Sequence, residues 1–145
     1  MKEKTPWMEM AILLAQRAEK RGEVPVAGVL VHGNHCIARA HNQVKHFGTP
    51  LAHAEMLLIL MGQKRLKSSY LSECDLYVTL EPCALCFAAL SMARIRRIYF
   101  GAYATRATLG NASTLARPFS TPEVMGGFHE KRCASLLHAF FKPKR

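Results

Sequence analysis

The chain has 145 residues and a mass of 16.2 kDa, which is the size of a single domain. Half of the residues are apolar and 21% are charged, so the chain can bury a core, and disordered, collagen-like and low-complexity chains are excluded. Twenty Lys and Arg residues against ten Asp and Glu residues give a net charge of +10. This excess favours a polyanionic partner, most simply nucleic acid, although many soluble proteins are basic without a specific partner.

The cysteines and the N-terminal segment indicate the compartment in which the protein works. Five cysteines, an odd number, argue against a disulfide framework, and MKEKTPWMEM lacks the apolar stretch of a signal peptide. No apolar run is long enough for a membrane-spanning helix. We therefore expect a reduced, cytoplasmic protein with no membrane partner.

The first part of the chain predicts a helix followed by a β-hairpin. Apolar residues recur at helical spacing through residues 7–18, and Gly22 then ends the helix. The continuous apolar run 24–31 is typical of a strand buried on both faces, and Pro25 must lie at its start because proline cannot donate to a β-ladder. A Gly-Asn turn then leads into a returning strand at residues 36–40.

Helices and strands alternate through the remainder of the chain. After a loop rich in His, Gly and Pro, the pattern predicts helices at about 53–65, 83–93 and 130–141, and strands at 76–80, 98–101 and around Val124. Residues 103–119 have no clear pattern. We therefore predict one α/β domain over residues 1–145, a three-layer α/β/α sandwich around a mixed sheet of about five strands.

Two short clusters carry side chains that can bind a metal ion or move a proton. One contains Cys83 and Cys86, which lie about 60° apart on one face of a predicted helix, so both sulfurs can reach one ion. The start of a helix, for which Pro82 is well suited, also favours the thiolate form. By itself the Cys-x-x-Cys pair does not distinguish a metal site from two small core residues of a buried helix, and a redox-active pair is a third alternative.

The other cluster contains His53 and Glu55. His53 with two cysteines would leave one zinc position open for water, which is the catalytic pattern, whereas a fourth ligand from Cys36, Cys74 or Cys133 would give a closed structural site. None of these three cysteines lies at zinc-finger spacing from another ligand, which favours the open site. Glu55, about 200° from His53 on a helix, can serve as base only if the metal lies off the helix start. The site is then expected where two helix starts converge at one edge of the sheet; alternatively, Glu55 only complements the helix dipole.

The order His-x-Glu, then Pro-Cys-x-x-Cys, resembles the signature of zinc-dependent nucleobase deaminases. Beyond this signature, the chain resembles the bacterial tRNA-specific adenosine deaminases of the cytidine and deoxycytidylate deaminase superfamily. The similar segments are EVPVAGVLV at 23–31, Asn42, AHAE at 52–55, LYVTLEPC at 76–83, ARIRRIYFG at 93–101 and the predicted closing helix at 133–141.

The resemblance implies a cytidine deaminase-like fold, a homodimer, and hydrolytic conversion of the wobble adenosine of an arginine tRNA to inosine. It implies that Glu55 shuttles protons from the attacking water to N1 of adenine and to the departing amino group. It implies that His53, Cys83 and Cys86 bind one Zn²⁺ per subunit. It also implies that Asn42 hydrogen-bonds the purine and that Ala54 contacts the substrate.

Contacts to RNA are expected from basic and aromatic residues, because an anticodon loop exposes phosphates and unstacked bases. The candidates are the basic run 94–97 and the C-terminal residues Phe140, Phe141, Lys142 and Arg145. Solvated surface for the charges and core packing for the phenylalanines are the alternatives. The Asp with which the family grips the ribose is Ala104 here, so the resemblance does not by itself imply that contact or the discrimination of RNA from DNA.

Two other functions would use the same residues. A deaminase of free nucleobases or nucleosides, of the guanine or cytosine type, needs the same metal set, although the charge of +10 and the basic C-terminus favour a polynucleotide. A non-catalytic zinc subunit that binds RNA needs neither Glu55 nor an open metal position, so the presence of both argues against it.

Deleting residues 142–145 should weaken the binding of an anticodon stem-loop, because the deletion removes three cations that would contact phosphates. The slope of log Kd against log salt concentration should fall by about 2, as expected for three lost contacts to a single strand. Binding titrations of the full and truncated chains at several salt concentrations measure this slope. An unaltered slope would mean that these residues touch no phosphate.

Overall fold

The computed structural model describes residues 5–104 and 120–142. The helices in these residues are α1 (Thr5–Lys20), α2 (Val44–Phe47), α3 (Ala54–Leu66), α4 (Ala84–Met92) and α5 (Glu130–Phe141). The strands are β1 (Ala27–His32), β2 (His35–His41), β3 (Cys74–Leu80), β4 (Arg97–Ala102) and β5 (Glu123–Met125). Each helix and strand expected from the sequence is present, and α2 is an addition.

The strands form one mixed sheet in the order β2-β1-β3-β4-β5. β1 pairs antiparallel with both β2 and β3, and β4 lies parallel to β3 on one side and to β5 on the other. The expectation of a mixed, five-stranded sheet is therefore confirmed. β1 and β3 lie inside the sheet and are buried along nearly their whole length, which explains why their sequences are continuous apolar runs.

Helices cover both faces of the sheet. On one face, α1 and α5 pack against side chains that include Val29, Tyr77 and Tyr99. On the other face, α3 and α4 pack against the alternate side chains of the same strands, such as Leu30 and Val78. Successive side chains of a strand point to opposite faces, so each central strand contributes to both cores. This arrangement is the predicted three-layer α/β/α sandwich.

The prediction that the first strand begins at residue 24 is wrong. β1 begins at Ala27, so Pro25 lies outside the strand rather than at its first position. The backbone N–H of Val26 donates to the carbonyl of Val24 at 2.7 Å, which forms a tight turn before the strand starts. The side chains of Val24 and Val26 instead line a cavity. These two residues are therefore apolar because of the cavity and not because they belong to a strand.

Helix α2 was not predicted because its stabilising contact comes from a distant residue. The carboxylate of Glu23 accepts hydrogen bonds from the backbone N–H groups of Lys45 at 3.1 Å and His46 at 2.9 Å. Glu23 is buried and satisfies the donors that a helix start leaves free. Most of the unpatterned segment, residues 105–119, lies outside the described residues. None of the described helices combines the length and the apolarity needed to cross a bilayer.

Candidate active site

The site lies where the first residues of α3 and α4 meet. His53 is the N-cap residue of α3 and Cys83 is the N-cap residue of α4; both have extended backbone, and neither caps its helix with its side chain. The predicted ligand residues therefore lie at two converging helix starts, as the sequence analysis expects. α4 follows β3, so the two helix starts meet at the end of the middle strand of the sheet.

The three predicted ligand residues come together around one point. His53 Nδ1 lies 3.3 Å from Cys86 Sγ and 3.8 Å from Cys83 Sγ, and the three ligand atoms lie within 4.8 Å of one another. Tetrahedral zinc, with bonds of about 2.3 Å to sulfur and 2.0 Å to nitrogen, places such atoms roughly 3.5 Å apart. One imidazole and two thiols at this spacing fit zinc.

The other three cysteines do not close the site. Among the described residues, the cluster that could hold a metal has three members, and Cys36, Cys74 and Cys133 are not among them. Cys74 is fully buried in the core, and the thiol of Cys36 donates to the carbonyl of Ala38 at 3.4 Å. The open, catalytic type of metal position is therefore the one that the described residues form.

The two ligand thiols share a proton. The thiol of Cys86 donates a hydrogen bond to Cys83, which lowers the pKa of Cys83 to about 5, and the same bond raises the pKa of Cys86. The hydrogen bond from Cys86 therefore favours the thiolate form of Cys83. A bound divalent cation takes over the role of the shared proton, because a metal binds thiolates and releases protons when it binds.

Glu55 lies in the first turn of α3 and faces the same cavity as His53 and Cys83. The residue is only 4% exposed, and burial raises the pKa of its carboxyl to about 7, with the negative Cys83 adding to the shift. A bound cation would act in the opposite direction. A carboxyl whose pKa lies between its usual value and neutrality can both accept and release a proton.

A cavity of about 670 Å³ opens above these residues. Its lining includes Asn42, His53, Glu55 and Cys83, together with one face of α5. That face contains residues spaced by one helical turn: Ala134, Leu137, His138 and Phe141. The volume falls within the range of small-molecule sites, and a mostly apolar lining with a few polar groups is typical of them.

The residues expected to contact substrate fall into two groups. Asn42 and Phe141 line the cavity, whereas Ala54, Phe140 and Lys142 are not among the lining residues. Ala54 is fully buried, and its backbone N–H donates to Asn42 Oδ1 at 2.9 Å, so it holds Asn42 rather than facing a ligand. This bond leaves the NH₂ group of Asn42 as its donor to a ligand. Arg145 lies outside the described residues.

Two residues that line the cavity, Glu81 and His138, were not predicted as site residues from the sequence. Glu81 lines the cavity, and its Oε1 accepts the backbone N–H of Ala104 at 2.8 Å, which fixes the chain after β4. His138 lines it from α5. The signal for His138 was present, because residues 134, 137, 138 and 141 recur at helical spacing, but that spacing does not say what the face meets.

The basic run 94–97 is largely engaged by other parts of the chain. Arg96 donates to both carboxylate oxygens of Asp75, at 2.9 and 3.0 Å, and Arg97 pairs with Glu123 at 3.5 Å. Arg94 lies over the ring of Tyr70, 4.3 Å from its centre. These contacts account for the run without a phosphate, so the structure does not support it as a free RNA-binding segment.

Replacing a ligand sulfur should release the metal. In Cys83→Ser, zinc content by elemental analysis should fall from stoichiometric to a small fraction, because a serine hydroxyl is a poor zinc ligand at neutral pH. Cys36→Ser is the matched control, since its thiol lies outside the cluster and a hydroxyl can make the same bond to Ala38. Equal zinc in both variants would show that Cys83 is not a ligand.

The comparisons with known proteins agree with this site. The chain matches the family model of the cytidine and deoxycytidylate deaminase zinc-binding region over residues 1–102. It is 41% identical over 151 aligned positions to the tRNA-specific adenosine deaminase of Agrobacterium fabrum, covering 100% of this chain and 98% of that protein.

Solved structures of deaminases are also similar to this chain. One from studies of A-to-I editing by tRNA:A34 deaminases at the wobble position of transfer RNA has a TM-score of 0.86 and 39% identity, covering 92% of this chain and 99% of that one. A guanine deaminase from Bacillus subtilis has a TM-score of 0.67 and 26% identity, covering 97% and 96%. With its zinc-binding residues in place and its relatives matched over their full length, the chain belongs to the tRNA-specific adenosine deaminases of the cytidine and deoxycytidylate deaminase family.

Proposed function

We propose that this chain, as one zinc-dependent deaminase domain over residues 1–145, hydrolyses the wobble adenosine in the anticodon loop of a tRNA to inosine. The observation that carries the proposal is the placement of Glu55 on the same cavity as the His53, Cys83 and Cys86 cluster. The names of the full-length relatives support tRNA as the substrate class. The choice of an arginine tRNA rests on the family resemblance.

The chain's own residues supply binding and proton transfer. Zinc, when bound by His53, Cys83 and Cys86, supplies a Lewis acid that lowers the pKa of water. Glu55 accepts one proton from the water that attacks C6 of adenine and delivers it to N1. It then accepts the second proton, from the hydroxyl that has formed on C6, and delivers it to the amino group. The C6–N bond breaks, so ammonia leaves and the oxygen of water remains on C6 as inosine.

The cavity holds a single base that has left the stack. The apolar side chains of Val24, Val26 and Leu137 line it and suit the faces of a purine ring. The NH₂ group of Asn42 is fixed as a donor by the bond from Ala54. Phe141 is 65% exposed and lines the same cavity, so its ring can stack on a base in an RNA loop. An anticodon loop presents such a base at little unstacking cost.

Removing the carboxylate should abolish turnover but not metal binding. Glu55→Ala should lower inosine formation from an arginine anticodon stem-loop at least about 100-fold, which is the contribution expected of general acid–base catalysis. Glu73→Ala, which removes an exposed carboxylate from the surface, is the control. Zinc content and circular dichroism should match in both variants. Turnover retained by Glu55→Ala would remove this residue from the reaction.

The same assay separates the substrate classes. The stem-loop should release ammonia and form inosine, whereas free adenosine, guanine and cytidine should not react at comparable rates. Faster reaction of guanine or cytidine would identify a deaminase of free bases or nucleosides instead. A zinc-loaded protein that binds the stem-loop but releases no ammonia from any of these would be a non-catalytic subunit.

The chain also forms a homodimer in this proposal, through the outer face of α3 and α4. These neighbouring helices expose Leu60, Met61, Leu85 and Met92, whose exposed fractions lie between 43% and 62%. Large apolar side chains grouped on one face are typical of an interaction surface. A second copy of the chain presents the same apolar face, which satisfies the self-complementarity of a two-fold interface.

Charge placed on this face should separate the subunits. Leu60→Lys with Leu85→Lys should shift the sedimenting species from a dimer to a monomer of 16.2 kDa, because charges inside an apolar interface lack partners. Leu13→Lys is the control, since Leu13 is 59% exposed on α1, across the sheet. A wild-type monomer, or a double variant that stays dimeric, would contradict the proposed interface.

A cytoplasmic location is also proposed. All five cysteines are free in the structure, including the two ligand thiols. Zinc-binding thiols must stay reduced to remain ligands, and the cytosol maintains thiols in that state. Fractionation of cells that express the chain with an epitope tag should recover it with cytosolic markers, and recovery from the periplasm would contradict this.

A further inference from the structure

A second cavity, of about 250 Å³, adjoins the catalytic cavity and has a different chemical character. Its lining residues, here called the cationic groove, are Arg21, Glu23, His41, Gln43, Lys45 and His46. We propose that the cationic groove binds a backbone phosphate of the RNA strand next to the nucleotide that enters the catalytic cavity. This inference rests on the proposed function and assigns a binding site within it.

The two cavities share a wall. Glu23 lines the groove and the next residue, Val24, lines the catalytic cavity; in the same way, Asn42 lines the catalytic cavity between His41 and Gln43. The backbone N–H of Asn42 donates to the carbonyl of Val26 at 2.9 Å, which ties the two segments together. A strand whose base occupies one cavity can therefore reach the other cavity with its backbone.

The positive charges of the groove are available to a ligand. Arg21 and Lys45 are exposed, and within residues 5–104 and 120–142 neither of them forms an ion pair. The Lys45 ammonium lies over Gly22, 3.9 Å from the place where a Cβ of residue 22 would be. Both cations thus belong to one small surface, in contrast to Arg96 and Arg97, which pair with carboxylates.

The one carboxylate of the groove does not compete for these cations. Glu23 is 4% exposed, and its two oxygens accept the backbone N–H groups of Lys45 and His46. These bonds hold α2 in place, so the side chains of Lys45 and His46 extend from a fixed backbone. Arginine and lysine on a preformed surface are the usual partners of phosphate.

The test is the salt dependence of binding of a fluorescent anticodon stem-loop. In Arg21→Ala with Lys45→Ala, the slope of log Kd against log salt should fall by about 1.5, and Kd at 0.1 M salt should rise about tenfold, as expected for two lost contacts to a single strand. The backbone bond from Lys45 to Glu23 is kept in this variant. Lys64→Ala with Arg65→Ala, which removes the same two side-chain types from the far end of α3, should leave the slope unchanged.

Three further measurements keep the proposal falsifiable. Arg21→Lys with Lys45→Arg should restore the slope, because it restores the charges. In the alanine pair, KM for the stem-loop should rise while kcat changes less than twofold, since the groove holds the strand and not the reacting atoms. Zinc content and circular dichroism should equal those of the wild type, so that a loss of affinity reports on the groove.

Several results would overturn the proposal. The alanine pair could bind the stem-loop with the wild-type slope, or the control pair could lose as much. Inorganic phosphate could bind saturably to the wild type and not to the alanine pair, with the RNA slope unchanged, which would assign the groove to a free anion. Failure of the wild type to deaminate the stem-loop would instead refute the proposed function, and the binding slopes distinguish the two.

Discussion

The structure depends on the convergence of two helix starts at the end of the middle strand. The ligands of a metal ion must approach it from different directions. A single helix face cannot provide three such ligands together with a general base beside them. Here His53 precedes α3 and Cys83 precedes α4, both on extended backbone, while Cys86 and Glu55 come from the first turns of the helices. The Asn42 side chain, which follows β2, accepts a hydrogen bond from the backbone at the start of α3. This bond fixes the position of the α3 start although Asn42 is not itself a metal-binding residue.

The surroundings of the site separate two electrostatic tasks. The catalytic cavity is lined by two carboxyl groups, Glu55 and Glu81, and one thiol, Cys83, and none of its described lining residues is a lysine or an arginine. Burial raises the pKa of the Glu55 carboxyl, and no lysine or arginine among the described lining residues counteracts this shift. The positive charge that a polyanion needs lies on the rim, in the adjoining groove. Lysine and arginine side chains lie beside the cavity and not among its described lining residues, so they can attract a phosphodiester strand without pairing with the Glu55 carboxylate.

Local sequence patterns predicted the helices, the strands and the candidate metal-binding residues. Features that depend on contacts between distant segments were not predicted. Cys83 and Cys86 are placed by helical spacing, which a sequence shows directly. Helix α2 depends on Glu23, some twenty residues earlier, and the early apolar residues at Val24 and Val26 belong to a cavity, which periodicity cannot distinguish from a strand. The hydrogen bond from the backbone N–H of Ala54 to the Asn42 side chain is likewise a contact between separate segments, which sequence spacing does not show.

The central claim is an open zinc position made by one histidine and two cysteines, beside a carboxylate that handles the protons. The zinc K-edge X-ray absorption spectrum of the purified, zinc-loaded protein measures that coordination most directly. The account predicts two sulfur neighbours at about 2.3 Å and two lighter neighbours, nitrogen and oxygen, at about 2.0 Å. Three or four sulfur neighbours would show a closed structural site and would contradict the hydrolytic reaction proposed for this chain.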